Sequence, residues 1–134
     1  MANALYDYGR EQFATAGINW VTDTVKVTLV DTALYTASLS THQFISSVPA
    51  GSRIATGTLT SKTATAGVCD AADLTFPTVS GASIEAVVIW KDTGTEATSA
   101  VIAYLDTSTG LPLTPNGGDI TIQWDSGTSR IFKL

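Results

Sequence analysis

Two apolar runs, Ile84 to Trp90 and Ala100 to Leu105, flank the polar segment Lys91-Asp92-Thr93-Gly94-Thr95-Glu96-Ala97-Thr98, which carries the glycine a reversal needs. This is the pattern of a β-hairpin. In the first run Ala86, Val88 and Trp90 project to one face and Val87 and Ile89 to the other, so neither face is polar along its middle. Such a strand belongs in the interior of a sheet.

Upstream, residues 3 to 16 space Leu5, Tyr6, Phe13 and Ala16 near helical intervals, with Asn3 as a cap and Gly17 just past the end. One amphipathic helix is predicted there, interrupted by Gly9. Thr24 to Asp31 alternates Val25, Val27 and Leu29 against Thr24, Lys26 and Thr28, the pattern of a strand with one wet face. Thr32 to Ala50 is irregular. It predicts an ordered excursion in which a serine or threonine near position 40 caps a short helical turn before Val48-Pro49. Arg53 to Leu59 alternates again, Lys62 to Val68 continues past a bend, and Asp70 to Thr78 places Leu74 and Phe76 on one face, with Pro77 marking a strand end.

Downstream of the hairpin, residues 107 to 118 hold two prolines and three glycines, which predicts a loop with fixed turns; Asn116-Gly117 is a turn signal of the kind that joins antiparallel strands. Ile120, Ile122 and Trp124 alternate as a closing strand. Asp125-Ser126-Gly127 turns into a last strand over Arg130 to Leu134. About seven short strands with one N-terminal helix predict a single mainly β domain over residues 1–134, an antiparallel β-sandwich or flattened barrel.

At 134 residues, with 44% hydrophobic and 14% charged content, the chain suits one packed core and neither a disordered nor a charge-rich module. Its Thr, Ser and Ala predict a rather neutral exterior. A formal charge of -5 with dispersed basic residues disfavours nucleic acid as a partner. No apolar run reaches the length of a membrane-spanning helix, and the first residues lack a signal-peptide pattern, so neither a membrane partner nor export is expected.

Chemistry-bearing residues are few. His42 is the single histidine, Cys69 the single cysteine, and both read as structural: no second histidine supports a metal cluster, no local nucleophile signature accompanies Cys69, and an internal disulfide is excluded. Asp70 with Asp73, and Asp92 with Glu96, sit where turn and capping carboxylates are ordinary and fit no alternating calcium loop. Gly117-Gly118 is followed by no lysine and opens no helix, so it is not a phosphate loop. Trp20, Trp90 and Trp124, with four tyrosines, read as core residues rather than as a sugar-stacking face. No catalytic, cofactor-binding or metal-binding residues, and hence no enzyme, are expected.

The motifs Asn3-Ala4-Leu5-Tyr6-Asp7-x-Gly9-Arg10, Trp20-x-x-Asp23, Leu29-Val30-Asp31-Thr32, Thr41-His42-Gln43-Phe44, Lys91-Asp92-Thr93-Gly94, Ala103-Tyr104-x-Asp106-Thr107, and Gly110-Leu111-Pro112-x-Thr114-Pro115-Asn116-Gly117-Gly118-Asp119-Ile120 resemble a widespread family of small tailed-bacteriophage virion proteins. Trp124-Asp125 and Ile131-Phe132-Lys133-Leu134 also match, so the resemblance covers nearly the whole chain. It implies a non-enzymatic cement or decoration protein on the capsid exterior, assembled in the bacterial host cytoplasm, with the major capsid protein as partner and a dimer or trimer as its own state. A tail or neck component, and a carbohydrate-binding module displayed on the virion, are the alternatives. Leu5, Tyr6 and Phe13 at one terminus are expected to divide between the domain's own core and a neighbour. Leu111, Pro112 and Leu113 in the proline-glycine loop are the second candidate interface, with a plug at the end of the sandwich as the competing role.

Overall fold

The computed structural model describes residues 4–106, 111–124 and 131–133. In chain order the elements are β1 (Ala4–Leu5), α1 (Asp7–Ala14), β2 (Val25–Val30), β3 (Arg53–Thr58), β4 (Thr63–Thr65), β5 (Val68–Asp70), β6 (Leu74–Phe76), β7 (Ala86–Lys91), β8 (Val101–Leu105), β9 (Ile120–Ile122) and β10 (Phe132–Lys133). They form a five-stranded sheet in the order β1-β8-β7-β2-β3, a three-stranded sheet β10-β5-β4 and a pair β6-β9. All pairings are antiparallel and none closes a barrel. The protein is thus mainly β and sandwich-like, with one helix near its N-terminus. Its strands are shorter and more divided than the seven expected, because the Lys62 to Val68 stretch folds back at Ala66-Gly67 into β4 and β5.

The hairpin forms as the apolar runs require. β7 is the middle strand of the large sheet, paired with β8 from Val87–Leu105 to Trp90–Val101 and with β2 from Val25–Lys91 to Val30–Ala86. Val87 and Ile89 face a main core that also receives Val25, Val27, Leu29 and Ile102. The two small sheets cover that core with Cys69, Phe76, Ile120, Ile122 and Phe132. Ala86, Val88 and Trp90 face a second core with Tyr6, Tyr35, Ile45, Val48 and Tyr104.

That second core corrects the expectation of a wet face on β2. Thr28 is fully buried, because the excursion after β2 folds back over the sheet and covers it. The hydroxyl stays satisfied: it accepts the indole N–H of Trp90 at 2.9 Å and lies 2.9 Å from the Thr56 hydroxyl, linking β7, β2 and β3. The excursion is ordered, as expected, with short 3-10 turns at Ile45–Ser47 and Ala50–Ser52. Neither turn has the side-chain cap anticipated. Arg53 replaces it, donating to the carbonyls of Ile45 and Val48 and pairing with Glu96 at 2.7 Å.

The N-terminal segment also departs from expectation. Leu5 lies in a short edge strand against Ala103, and Tyr6 extends it, donating its N–H to the Ile102 carbonyl, so the helix begins at Asp7. A backbone that pairs with a sheet edge has left the helix, whatever the side-chain spacing. Asn3, the anticipated cap, lies outside the described residues, and Tyr6 at the helix start makes no side-chain cap. At the other end Ala16, with φ 63°, takes the left-handed conformation anticipated for Gly17.

Gly9 does not interrupt the helix. It is buried inside it, and a Cβ built there would sit 2.7 Å from the Val101 oxygen and 2.9 Å from the Ile102 Cα. Only a glycine lets α1 approach β8 so closely. Gly9→Ala therefore trades a better helix former for a clash with rigid backbone, and is expected to lower the unfolding free energy by about 1–3 kcal/mol. A urea melt showing an unchanged or higher midpoint would refute that account of the contact.

Candidate functional site

His42 is held by its neighbours. The Ser38 N–H donates to its Nδ1 at 3.2 Å, which makes that nitrogen an acceptor, so the Tyr35 hydroxyl 3.0 Å away must donate to it as well. Tyr35 has then spent its proton. The Tyr6 hydroxyl, 2.6 Å from Tyr35, is accordingly the donor in that pair. The relay runs from the N-terminal segment through the excursion to His42, with the Tyr35 and His42 rings stacked at 5.5 Å. It clamps the excursion onto the second core. Burial, then its bond to Tyr35, pushes the Tyr6 phenol far above its ordinary range.

Cys69 lies on the opposite side of the large sheet, in the main core, paired across β5 with Ala64 and Phe132. Burial pushes its thiol from 9.0 up to about 11, the reverse of what a nucleophile needs. Cys69 and His42 therefore face different cores and form no dyad. The carboxylates serve structure: Asp92 accepts the Gly94 N–H at 2.8 Å in the hairpin turn and pairs with Lys26 at 3.2 Å, Glu96 pairs with Arg53, and Asp73 accepts the Trp124 N–H at 3.0 Å. Among the described residues no group of three His, Cys, Asp or Glu side chains is placed to hold a metal.

The tryptophans present no stacking platform. Trp20 and Trp90 are 3% and 8% exposed, and Trp124 is half-buried with its indole N–H donated to the Ala72 carbonyl at 3.0 Å.

The candidate interface residues separate by burial. Tyr6 is fully buried in the second core, so it is no contact for a neighbour; the hydroxyl relay and the pairing beside β8 draw it inward. Leu5 and Phe13 are half-buried against the main core, Phe13 with its ring 5.9 Å from Phe132. In the proline-glycine loop, residues 107–110 lie outside the described residues, as does the Asp125-Ser126-Gly127 turn and, at the ends of the last strand, Arg130 and Leu134. Leu113 exchanges backbone hydrogen bonds with Ile84 at 2.7 and 2.8 Å, and with Leu111 it packs against the main core, whereas Pro112 is exposed. The Asn116-Gly117 turn forms, with Gly117 at φ 87°, but its flanks pair with different partners: Leu113 with Ile84, and Ile120 with Phe76. Among the described residues Val21 at 48% and Leu34 at 57% are large apolar side chains left exposed, which the sequence does not mark out because each stands in a loop without periodicity.

Two outcomes follow. Replacing Leu111 and Leu113 by serine removes half-buried core contacts and is expected to destabilise the isolated protein by about 2–4 kcal/mol in total, read as a fall in melting temperature; no change would mark them as free surface. For alkali, the sign follows from Cys69: the unfolded chain loses its thiol proton first, so stability present below pH 9 declines as pH rises from 9 toward 11. Cys69→Ala is expected to flatten the decline between pH 9 and 10, below the ordinary phenol range, in denaturant midpoints measured across pH; an equally steep profile would contradict this. No protein-family model matches the chain, and no curated protein matches it significantly.

Proposed function

We propose that this chain is a non-enzymatic virion structural protein of a tailed phage, acting as cement on the outside of the capsid. The reading rests on the motif resemblance along nearly the whole chain. One structural observation supports it: His42, Cys69 and the turn carboxylates Asp73, Asp92 and Glu96 are each engaged in contacts within the fold.

A cement protein acts by burying surface between shell subunits. Its exterior should be rigid and poor in stranded charge. The exterior here fits that need: the charged pairs Lys26–Asp92, Lys91–Asp23 and Arg53–Glu96 are formed within the chain, around the hairpin tip. Repetition over a shell makes modest contacts effective through avidity. Pro112 and the half-buried Leu5, Phe13, Leu111 and Leu113 are the interface candidates that keep accessible surface; the shell's major subunit, or a sister copy in a dimer or trimer, is the partner for them.

The test is position and effect in the particle. Antibody or gold label is expected on heads, and shells reconstituted with the protein are expected to resist heat better than bare shells. Label confined to tails, with heads bare, would replace cement by a tail or neck role. A strictly monomeric protein in sedimentation that still loads shells normally would remove the oligomer.

A further inference from the structure

The chain holds three asparagines, Asn3, Asn19 and Asn116, and Asn116 alone is followed by glycine. A glycine nitrogen has no side chain beside it to shield it, so it is the backbone nitrogen best able to attack the carboxamide of the residue before it. Asn116 and Gly117 are both exposed, and a Cβ built on Gly117 would meet nothing within 4 Å. Asn19, by contrast, precedes the bulky, buried Trp20, and its side-chain oxygen accepts the N–H groups of Val21 and Thr22 at 3.2 Å.

The fold acts on both reacting groups. It holds the nucleophile: Gly117 donates its N–H to the Val79 carbonyl at 2.8 Å, and Val79 returns its own N–H to the Gly118 carbonyl at 2.9 Å. One residue further on each side, Asp119 accepts the Thr78 N–H at 3.1 Å. Val79 is 4% exposed and packed in the main core, so this clamp is anchored to the sandwich. It also primes the electrophile, because the Gly118 N–H donates to Asn116 Oδ1 at 2.9 Å and draws electron density from the carboxamide carbon. Attack requires the Gly117 nitrogen to lose its proton, and a proton shared with a carbonyl is harder to remove.

We propose that Asn116 is a site of self-modification, and that the Val79 clamp holds the reaction back in the folded protein. Hydroxide takes the Gly117 N–H proton, and the nitrogen lone pair forms a bond to Asn116 Cγ. The tetrahedral carbon then expels Nδ2, which takes a proton from water and leaves as ammonia, so that a five-membered cyclic imide remains. Water adds to either imide carbonyl and opens the ring, giving aspartate when one C–N bond breaks and isoaspartate when the other does. The balance needs only water. Each product adds a negative charge three residues before Asp119. Isoaspartate also lengthens the main chain by one carbon, which the two hydrogen bonds between Val79 and the turn cannot follow. The chemistry is independent of the docking role given above.

The test compares the folded chain with the chain unfolded in guanidinium, both held in mildly alkaline buffer. The peptide containing Asn116 is followed by mass spectrometry, and isoaspartate is identified by enzymatic methylation. Reaction from the fold requires the clamp to open, so its rate is the unfolded rate multiplied by the open fraction. In guanidinium Asn116 is expected to react faster than Asn19; in the folded protein it is expected to react at least about tenfold more slowly than in guanidinium. Asp119→Ala removes the acceptor for Thr78 from an exposed position, and is expected to raise the folded-to-unfolded rate ratio about threefold or more. Amide exchange gives a reading that needs no variant: the Gly117 N–H is expected to be protected about tenfold or more. Equal rates in the two states, an unprotected Gly117 amide, or an unchanged ratio in folded Asp119→Ala would overturn the clamp. Absence of isoaspartate at position 116 in guanidinium would overturn the site itself.

Discussion

The structure depends on burying β7 and β8 on both faces at once. Every residue from Ala86 to Trp90, and every residue of β8, is buried, and a hairpin that apolar is stable only if something seals each side. On one side the seal is regular: two small sheets carry Phe76, Ile120, Ile122 and Phe132 into the main core. On the other it is irregular. The excursion after β2 has no strand among the described residues, and its apolar anchors Tyr35, Ile45 and Val48 are held in place by polar bonds.

Those bonds divide the labour. Arg53 ties the 3-10 turns down by their carbonyls, and the Tyr6–Tyr35–His42 relay ties the middle of the excursion to the N-terminal segment. Both are needed because loop backbone cannot satisfy itself by a ladder, and every buried group left over would cost on the order of 1–3 kcal/mol. The single histidine, read from the sequence as structural, is spent on architecture. The same holds for Thr28, whose hydroxyl would be stranded between the layers without Trp90 and Thr56.

Tyr104 stands at the edge of this network. It belongs to the same buried aromatic group, with its ring 6.5 Å from that of Tyr35, and it lines an open cleft at the end of the sheet. A sheet end where three strands finish cannot be sealed by ladder bonds. Polar side chains, Thr32, Glu85 and Asp106 among them, collect there.

Local periodicity by itself determined the hairpin, the alternation of β3 and β9, the structural use of Cys69 and the mainly β class, because each depends on neighbours two residues apart or on one side chain's own chemistry. It overcalled the helix, since Leu5 and Tyr6 keep helical spacing while their backbone pairs beside β8. It also gave β2 a wet face, because alternation reports polarity and cannot tell solvent from a covering layer whose hydroxyls are bonded across strands. Tertiary structure alone decided those points. It decided too that Gly9 is a contact instead of a weakness, and that Thr32, Glu85 and Tyr104, which are far apart in the chain, share one cleft. Such placements depend on which strands pair, and pairing is settled by burial summed over the whole chain, which no local stretch records.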